Sequence, residues 1–133
     1  NFNRPWQHVL EPLKGYLMLA KKQYQSPKNY SSAWNFGTTP NSLTSVKSIV
    51  KFIIEFWGSG KIKVQKNKLY EQENLQLNIT KAKQYLKWQP TYKIKESVRI
   101  TTEWYYRVLK LKELPEKVTL DQIQKYEEDS KIN

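Results

Sequence analysis

The chain has 133 residues, 14% of them aromatic and none of them cysteine, and a formal net charge of +11. That length allows one domain. Aromatic rings, each burying roughly 150–250 Å², can build its core despite a mean hydropathy of −0.79. Missing thiols exclude disulfides and thiolate metal sites, the lone histidine His8 argues against a His-based one, and no apolar run reaches the ~18 residues of a membrane span. No secretory signal is visible, and the chain opens with Asn rather than Met, which reads as a piece of a longer protein.

The first segment, Arg4-Pro5-Trp6-Gln7-His8-Val9, sets a guanidinium two residues from an indole and four from an imidazole. Extended backbone would point Arg4, Trp6 and His8 to one side. Two readings stand side by side. A cation fork beside an aromatic plate can bind a nucleotide diphosphate. Equally, Trp6 can tuck in, with Arg4 and His8 satisfied by backbone carbonyls.

A first helix follows. Pro12 suits its opening turn, and Leu13, Tyr16, Leu17, Ala20 and Tyr24 recur at helical spacing until Pro27. Ala33–Gly37 reads as a strand. Thr44 or Ser45 can cap a second helix whose stripe is Val46, Ile49, Val50, Ile53, Ile54 and Trp57, with Gly58 placed as a left-handed C-terminal residue. Lys61–Gln65 and Leu75–Asn78 alternate polar and apolar residues, the period of a half-buried strand, with a loop at 67–74 between them. A short helix is expected from about Thr80 to Lys87. A longer one spans about Ile94 to Leu111, with Val98, Thr101, Tyr105 and Val108 inward and Glu103–Arg107 paired outside. After Pro115 the chain turns acidic, and a last, loosely docked helix is expected from Thr119 to about Glu128. The pattern predicts a helix-rich α/β fold. Residues 1–112 would form the domain and 113–133 an acidic tail. Val46, Ile49, Val50, Ile53, Trp57, Trp88, Val98 and Tyr105 would share one core, with an apolar face left exposed elsewhere.

Charge is uneven: +5 over residues 1–60, +7 over 61–100 and −1 over 101–133. An anionic-ligand site therefore belongs in the first hundred residues, although 20 of the 23 cations are lysines, the residue type that most often serves only as solvated surface. Alternating lysines from Lys61 to Lys68 could meet a phosphate backbone or simply protect an edge strand. Glu71/Glu73 and Glu127-Glu128-Asp129 lack the spacing of an EF-hand loop. Tyr-x-x-x-Lys, a pairing used by short-chain dehydrogenases, occurs at Tyr24/Lys28 and Tyr106/Lys110, about as often as chance gives. A packed tyrosine beside a snorkelling lysine explains it. No G-x-G-x-x-G or G-x-x-x-x-G-K is present.

Five stretches carry a family resemblance: Arg4-Pro-Trp-Gln-His-Val-Leu-Glu-Pro-Leu-Lys-Gly-Tyr and Ala33-Trp-Asn-Phe-Gly, then Leu77-Asn-Ile-Thr-Lys-Ala, Leu86-Lys-Trp-Gln-Pro and Thr102-Glu-Trp-Tyr. In order from residue 3 to about 106, they resemble the C-terminal part of the CDP-glucose 4,6-dehydratase branch of the extended short-chain dehydrogenase/reductase family of nucleotide-sugar enzymes. The resemblance implies a cytoplasmic lyase. Its Rossmann domain, absent from this sequence, would hold NAD and the catalytic residues, and this part would hold the nucleotide of CDP-glucose. It implies that the 133 residues alone carry no catalytic, NAD-binding or metal-binding residue, meet neither membrane nor nucleic acid, and dock on the Rossmann domain of the same chain. It also implies roles: Arg4 on the diphosphate, Trp6 lining the nucleotide pocket, Lys68 where relatives place a second diphosphate arginine, and Glu71 on the ribose hydroxyls. Lys68 keeps the charge but loses the fork. Tyr70 stands where that branch has a histidine, and Asn78 stands for the usual aspartate. Two other readings are a different nucleotide-sugar dehydratase or epimerase of the family, and a non-enzymatic basic module for nucleic acid or an acidic partner.

Overall fold

A computed structural model describes residues 3–39, 42–64 and 76–132. It is helix-rich. In chain order come β1 (Asn3–Arg4), α1 (Leu10–Gln25), α2 (Pro27–Tyr30), β2 (Thr44–Ser45), α3 (Val46–Trp57), a π-helical turn at Ala82–Leu86, α4 (Ile94–Leu109) and α5 (Pro115–Ile132). Among the described residues the sheet is two-stranded and antiparallel, with Asn3 opposite Ser45 and Arg4 opposite Thr44.

Helix α3 follows its local signals. Ser45 caps it, its hydroxyl accepting from the Ser48 N–H at 3.2 Å. Gly58 ends it at φ 83°, where a side chain would be strained. Pro27 opens α2 rather than ending α1, which stops at Gln25 with Ser26 as its cap. The short helix near Thr80 starts on the Asn78 carboxamide, which accepts the Thr80 N–H at 2.9 Å, and widens into the π-turn before Lys87 halts it in left-handed backbone at φ 56°. Helix α5 begins at Pro115, four residues before the expected Thr119, and its Val118 and Tyr126 are buried.

The expected strand at Ala33–Gly37 and the described part, residues 76–78, of the one expected at Leu75–Asn78 run beside each other without a ladder. Side chains do the pairing instead: Asn35 Nδ2 donates to the Asn78 carbonyl at 3.4 Å, and Gln7 Nε2 to the Phe36 carbonyl at 3.2 Å. Alternation reports which side chains are buried, not whether a partner edge exists. Lys61–Val64 are exposed and not in a strand, and the rest of that expected strand lies outside the described residues.

The single expected core is in fact two clusters. One centres on Phe36, Ile79, Ala82, Leu86 and Trp88, with Met18, Leu19, Tyr30 and Trp34 packed against it. Helix α1 faces this cluster with Glu11, Gly15, Met18 and Leu19. Its longer apolar stripe is offset by two residues, about 200° around the axis, so Leu13, Tyr16, Leu17 and Tyr24 point to solvent. The second cluster is the α3–α4 pair. Ile49 and Val98 are buried there, but Val46, Ile53 and Tyr105 are 50%, 40% and 51% exposed. No third element covers that side among the described residues. The expected Glu103–Arg107 pair does not form either. Arg99 holds Glu96 and Glu103, whereas Arg107 reaches Glu113 and Asp121, tying α4 to α5.

Candidate functional site

Of the four residues that the resemblance assigns to substrate, Arg4 and Trp6 are described; Lys68 and Glu71 lie outside the described residues. Arg4 is half-buried on β1, and its Nη1 donates to the Asn3 carbonyl at 3.1 Å. The strand ends there. The Trp6 N–H bonds the Arg4 carbonyl at 3.0 Å, a tight turn around Pro5 that breaks the alternation expected through His8. Trp6 stays 38% exposed, while His8 is buried.

His8 is therefore not part of an exposed trio. Its Nδ1 accepts the Leu10 N–H at 3.4 Å, and its ring meets Tyr92 edge-on at 6.2 Å. Burial holds the imidazole below its ordinary value of 6.5, partly offset by the nearby Glu11 carboxylate.

Glu11 is the residue that sequence patterning passed over. It is fully buried. One carboxylate oxygen accepts the Tyr92 N–H at 2.8 Å; the other accepts the Thr91 N–H at 2.9 Å and the Tyr126 hydroxyl at 2.7 Å. Its carbonyl accepts from Trp88 Nε1 at 3.1 Å. Every bond is supplied by the fold, so this carboxylate joins α1, the 88–92 loop and α5 rather than facing a ligand. Burial, reinforced by the hydrogen bond to Glu11, pushes the Tyr126 phenol upward. The clue in the sequence is Gly15 one turn on: a Cβ there would lie 2.3 Å from the Phe36 ring, so this is the face of α1 that approaches the core.

A groove of about 590 Å³ lies between α3 and α4, in the range of small-ligand and docking clefts. Trp6 and Gln7 join its lining. Ile49, Ile53, Trp57, Val98, Tyr105 and Leu109 form its walls, and no charged side chain among the described residues lines it. Gln7 Oε1 and Ser97 Oγ are buried there without a hydrogen-bond partner. Arg4 is not in the lining, so the arginine and the groove are separate features. At the Tyr106/Lys110 pair, the Tyr106 ring packs edge-on against Trp57 at 5.6 Å and the Lys110 ammonium lies 5.9 Å from the Trp57 centroid. Among the described residues, no three His, Cys, Asp or Glu side chains gather as metal ligands, and no helix is long and apolar enough to cross a membrane.

No family model matches the chain. Over 104 residues, 77% of its length, it is 34% identical to CDP-glucose 4,6-dehydratase of Salmonella typhimurium. The matched stretch is the C-terminal part of that enzyme and 29% of its length, so the chain spans less than a third of this relative. The resemblance carried by the Arg4-Pro5-Trp6 segment and the later motifs is thereby borne out.

Proposed function

We propose that residues 1–133 are the nucleotide-sugar-binding portion of a CDP-glucose 4,6-dehydratase. The observation that carries this reading is the 34% identity over 104 residues with an enzyme of that activity. The positive balance of the first hundred residues supports it, because a diphosphate is doubly negative. In this reading Arg4 makes two parallel charge-assisted bonds to the diphosphate and Lys68 a single point-charge contact. Trp6 lies against the base, and Glu71 accepts from the ribose hydroxyls.

Dehydration of this kind draws on NAD, which takes a hydride from the sugar and returns it. The residues of this chain do not fit that cofactor. Gly15 sits inside a helix, Gly37 packs on Leu77, and Gly58 and Gly60 follow α3, so none forms a glycine-rich turn between a strand and a helix. The chain's share of the work is to bind and orient the substrate, and NAD with the catalytic residues belongs to a Rossmann portion outside residues 1–133.

Calorimetric titration with CDP and, separately, with a DNA duplex tests this. The expected result is CDP binding that weakens on Arg4→Ala, with weak, steeply salt-dependent duplex binding. Tight duplex binding with CDP affinity indifferent to Arg4→Ala would overturn it in favour of a basic nucleic-acid module. The purified chain is expected to form no 4-keto-6-deoxy sugar from CDP-glucose and NAD; turnover would reject the portion assignment.

A further inference from the structure

We infer that the hollow between α2 and the π-helical turn is a binding site for a monosaccharide that carries one anionic group. It is separate from the Arg4 segment and does not rest on the CDP-glucose reading.

The hollow has a volume of about 590 Å³ and is lined by Asn29, Tyr30, Ser32, Trp34, Lys81 and Tyr85. Its fixed point is Lys81. The ammonium donates to Ser32 Oγ at 2.7 Å and to the Ala33 carbonyl at 2.9 Å, and it lies 4.3 Å from the centre of the Trp34 ring. All three partners are neutral. An ammonium has three N–H donors, so one is left over, and no carboxylate among the described residues pairs with this charge. A lysine that serves only as solvated surface keeps its rotamer freedom, worth up to about 2 kcal/mol. Lys81 is already ordered, so an arriving anion meets a cation whose position it need not impose.

Both segments that frame the hollow are free of carboxylates. Asn29, Tyr30, Ser32 and Trp34 lie within residues 12–54, and Lys81 and Tyr85 within residues 74–95; neither stretch contains Asp or Glu. The hydrogen bond from Lys81 to Ser32 joins the two stretches across 49 positions. The anionic-ligand site expected in the first hundred residues from charge alone thus has a place in the fold.

The remaining groups fix the kind of molecule that carries the anion. Tyr30 and Trp34 stack 5.8 Å apart at 16°, and Trp34 Nε1 donates to the Tyr30 carbonyl at 3.0 Å, which makes a rigid wall. Trp34 is occupied by Tyr30 and Lys81. The ring that stays open is Tyr85, 63% exposed and four residues after Lys81, about one helical turn along. The Ser32 hydroxyl accepts from Lys81 and still has its O–H to donate; Asn29 donates through Nδ2 to Ser26 Oγ and still has its side-chain carbonyl to accept. Sugar hydroxyls, which donate and accept at once, match that pair. A pyranose needs one aromatic face for its C–H side, such hydrogen-bonding groups, and a cation for its charge, and the hollow supplies each. A nucleobase relies on stacking, for which Tyr85 alone is open. The π-helical turn that Lys81 caps is itself an irregularity of the kind found at functional sites.

The test titrates glucose 6-phosphate, glucuronate, glucose, inorganic phosphate and CMP into the purified chain by calorimetry. Glucose 6-phosphate or glucuronate is expected to bind roughly tenfold or more tightly than glucose or inorganic phosphate, and the tighter of the two identifies the anionic group. Lys81→Met is expected to weaken that ligand roughly tenfold or more and Tyr85→Ala roughly threefold or more. Arg4→Ala is expected to leave it unchanged. Tyr85 is exposed, so the melting temperature of Tyr85→Ala should hold and separate lost binding from lost folding. Binding of neither acidic sugar, binding indifferent to Lys81→Met and Tyr85→Ala, or inorganic phosphate as tight as the sugars would each overturn the proposal. So would CMP binding that exceeds the sugars and falls with Lys81→Met, which would make the hollow a nucleotide site, or sugar binding lost with Arg4→Ala. CDP titrated alongside is expected to depend on Arg4 and not on Lys81, so failure of the CDP-glucose reading and failure of this one give different results.

Discussion

The hydroxyl of Tyr126 donates a 2.7 Å hydrogen bond to the carboxylate of Glu11, 115 positions earlier in the chain. The same carboxylate takes the Thr91 and Tyr92 N–H groups, so three donors converge on an acceptor-only group. In Glu11→Gln one oxygen becomes a donor facing another donor. Glu11→Gln is therefore expected to cost about 3 kcal/mol, and Tyr126→Phe, which leaves both backbone bonds intact, about 1. Urea unfolding of the two variants checks the order; equal losses would contradict it.

A second prediction concerns pH. His8 is held neutral by burial, below its ordinary 6.5. The unfolded chain then binds more protons than the folded one as pH drops through 6.5. The contribution is complete above that value and is lost below it. The carboxyls of Glu96, Glu113 and Asp129 are held below their ordinary values by Arg99, Arg107 and Lys125, so their contributions fade only at lower pH. Thermal melts between pH 7 and 5 should show a decline for the native chain and a flatter profile for His8→Asn.

Gly15 gives a prediction with competing terms. Alanine would raise helix propensity by about 1 kcal/mol, but its Cβ would lie 2.3 Å from Phe36 Cδ1, in a cluster where Phe36 also meets Trp88 edge-on at 5.1 Å. Overpacking costs about 1–3 kcal/mol, so Gly15→Ala should destabilise the chain. With Phe36→Leu in place the same change should become neutral or stabilising, a coupling that a double-mutant cycle measures.

Removal of residues 113–133 tests the division of the chain. It would strip Tyr126 from Glu11, Gln122 from the Ile100 carbonyl, and Glu113 and Asp121 from Arg107. We expect residues 1–112 to lose about 3 kcal/mol or more, mostly from the apolar burial that Val118 and Tyr126 supply, with the lost Tyr126 bond adding about 1, read as a fall in denaturation midpoint. Retention of the full midpoint would make the tail a separable appendage.

For the substrate reading, Arg4→Ala is expected to weaken CDP by about 2 kcal/mol and Lys68→Ala by about 1. Arg4→Lys should fall between native and alanine, because charge survives while the two-pronged contact does not. Calorimetry ranks the three, and an Arg4→Lys variant equal to native would rule out a bidentate arginine.

Local chemistry was legible in the sequence where neighbours along the chain decide the outcome. Ser45, Gly58 and the stripe between them specify α3 without help from the rest of the fold. The Arg4-Pro5-Trp6 segment pointed to its relative in the same way. Orientation was not legible. The Leu13–Leu17 stripe is the more apolar face of α1, yet the helix turns the Glu11–Gly15 face inward, because a satisfied carboxylate and a bare backbone fit against Trp88 and Phe36. The strand reading of Ala33–Gly37 could reveal neither that Phe36 would be buried nor that Gln7 and Asn35 would stand in for a neighbouring strand. At the candidate site, the turn at Pro5 undid the alignment of Arg4, Trp6 and His8, a change that comes from one hydrogen bond between adjacent backbone groups.

The carboxylate of Glu11 also sets the order in which this chain can finish folding. A ribosome adding about 5–20 residues per second needs on the order of ten seconds to go from Glu11 to Tyr126, 115 positions later. Until residues 91 and 92 are made the Glu11 carboxylate lacks all three of its donors, and until Tyr126 is made it lacks the third. Helix α1 completes the hydrogen bonding of its carboxylate only when α5 emerges. Contacts this distant in sequence bear the full entropy of loop closure before they return any stability, so α1 is among the last of the described elements to settle.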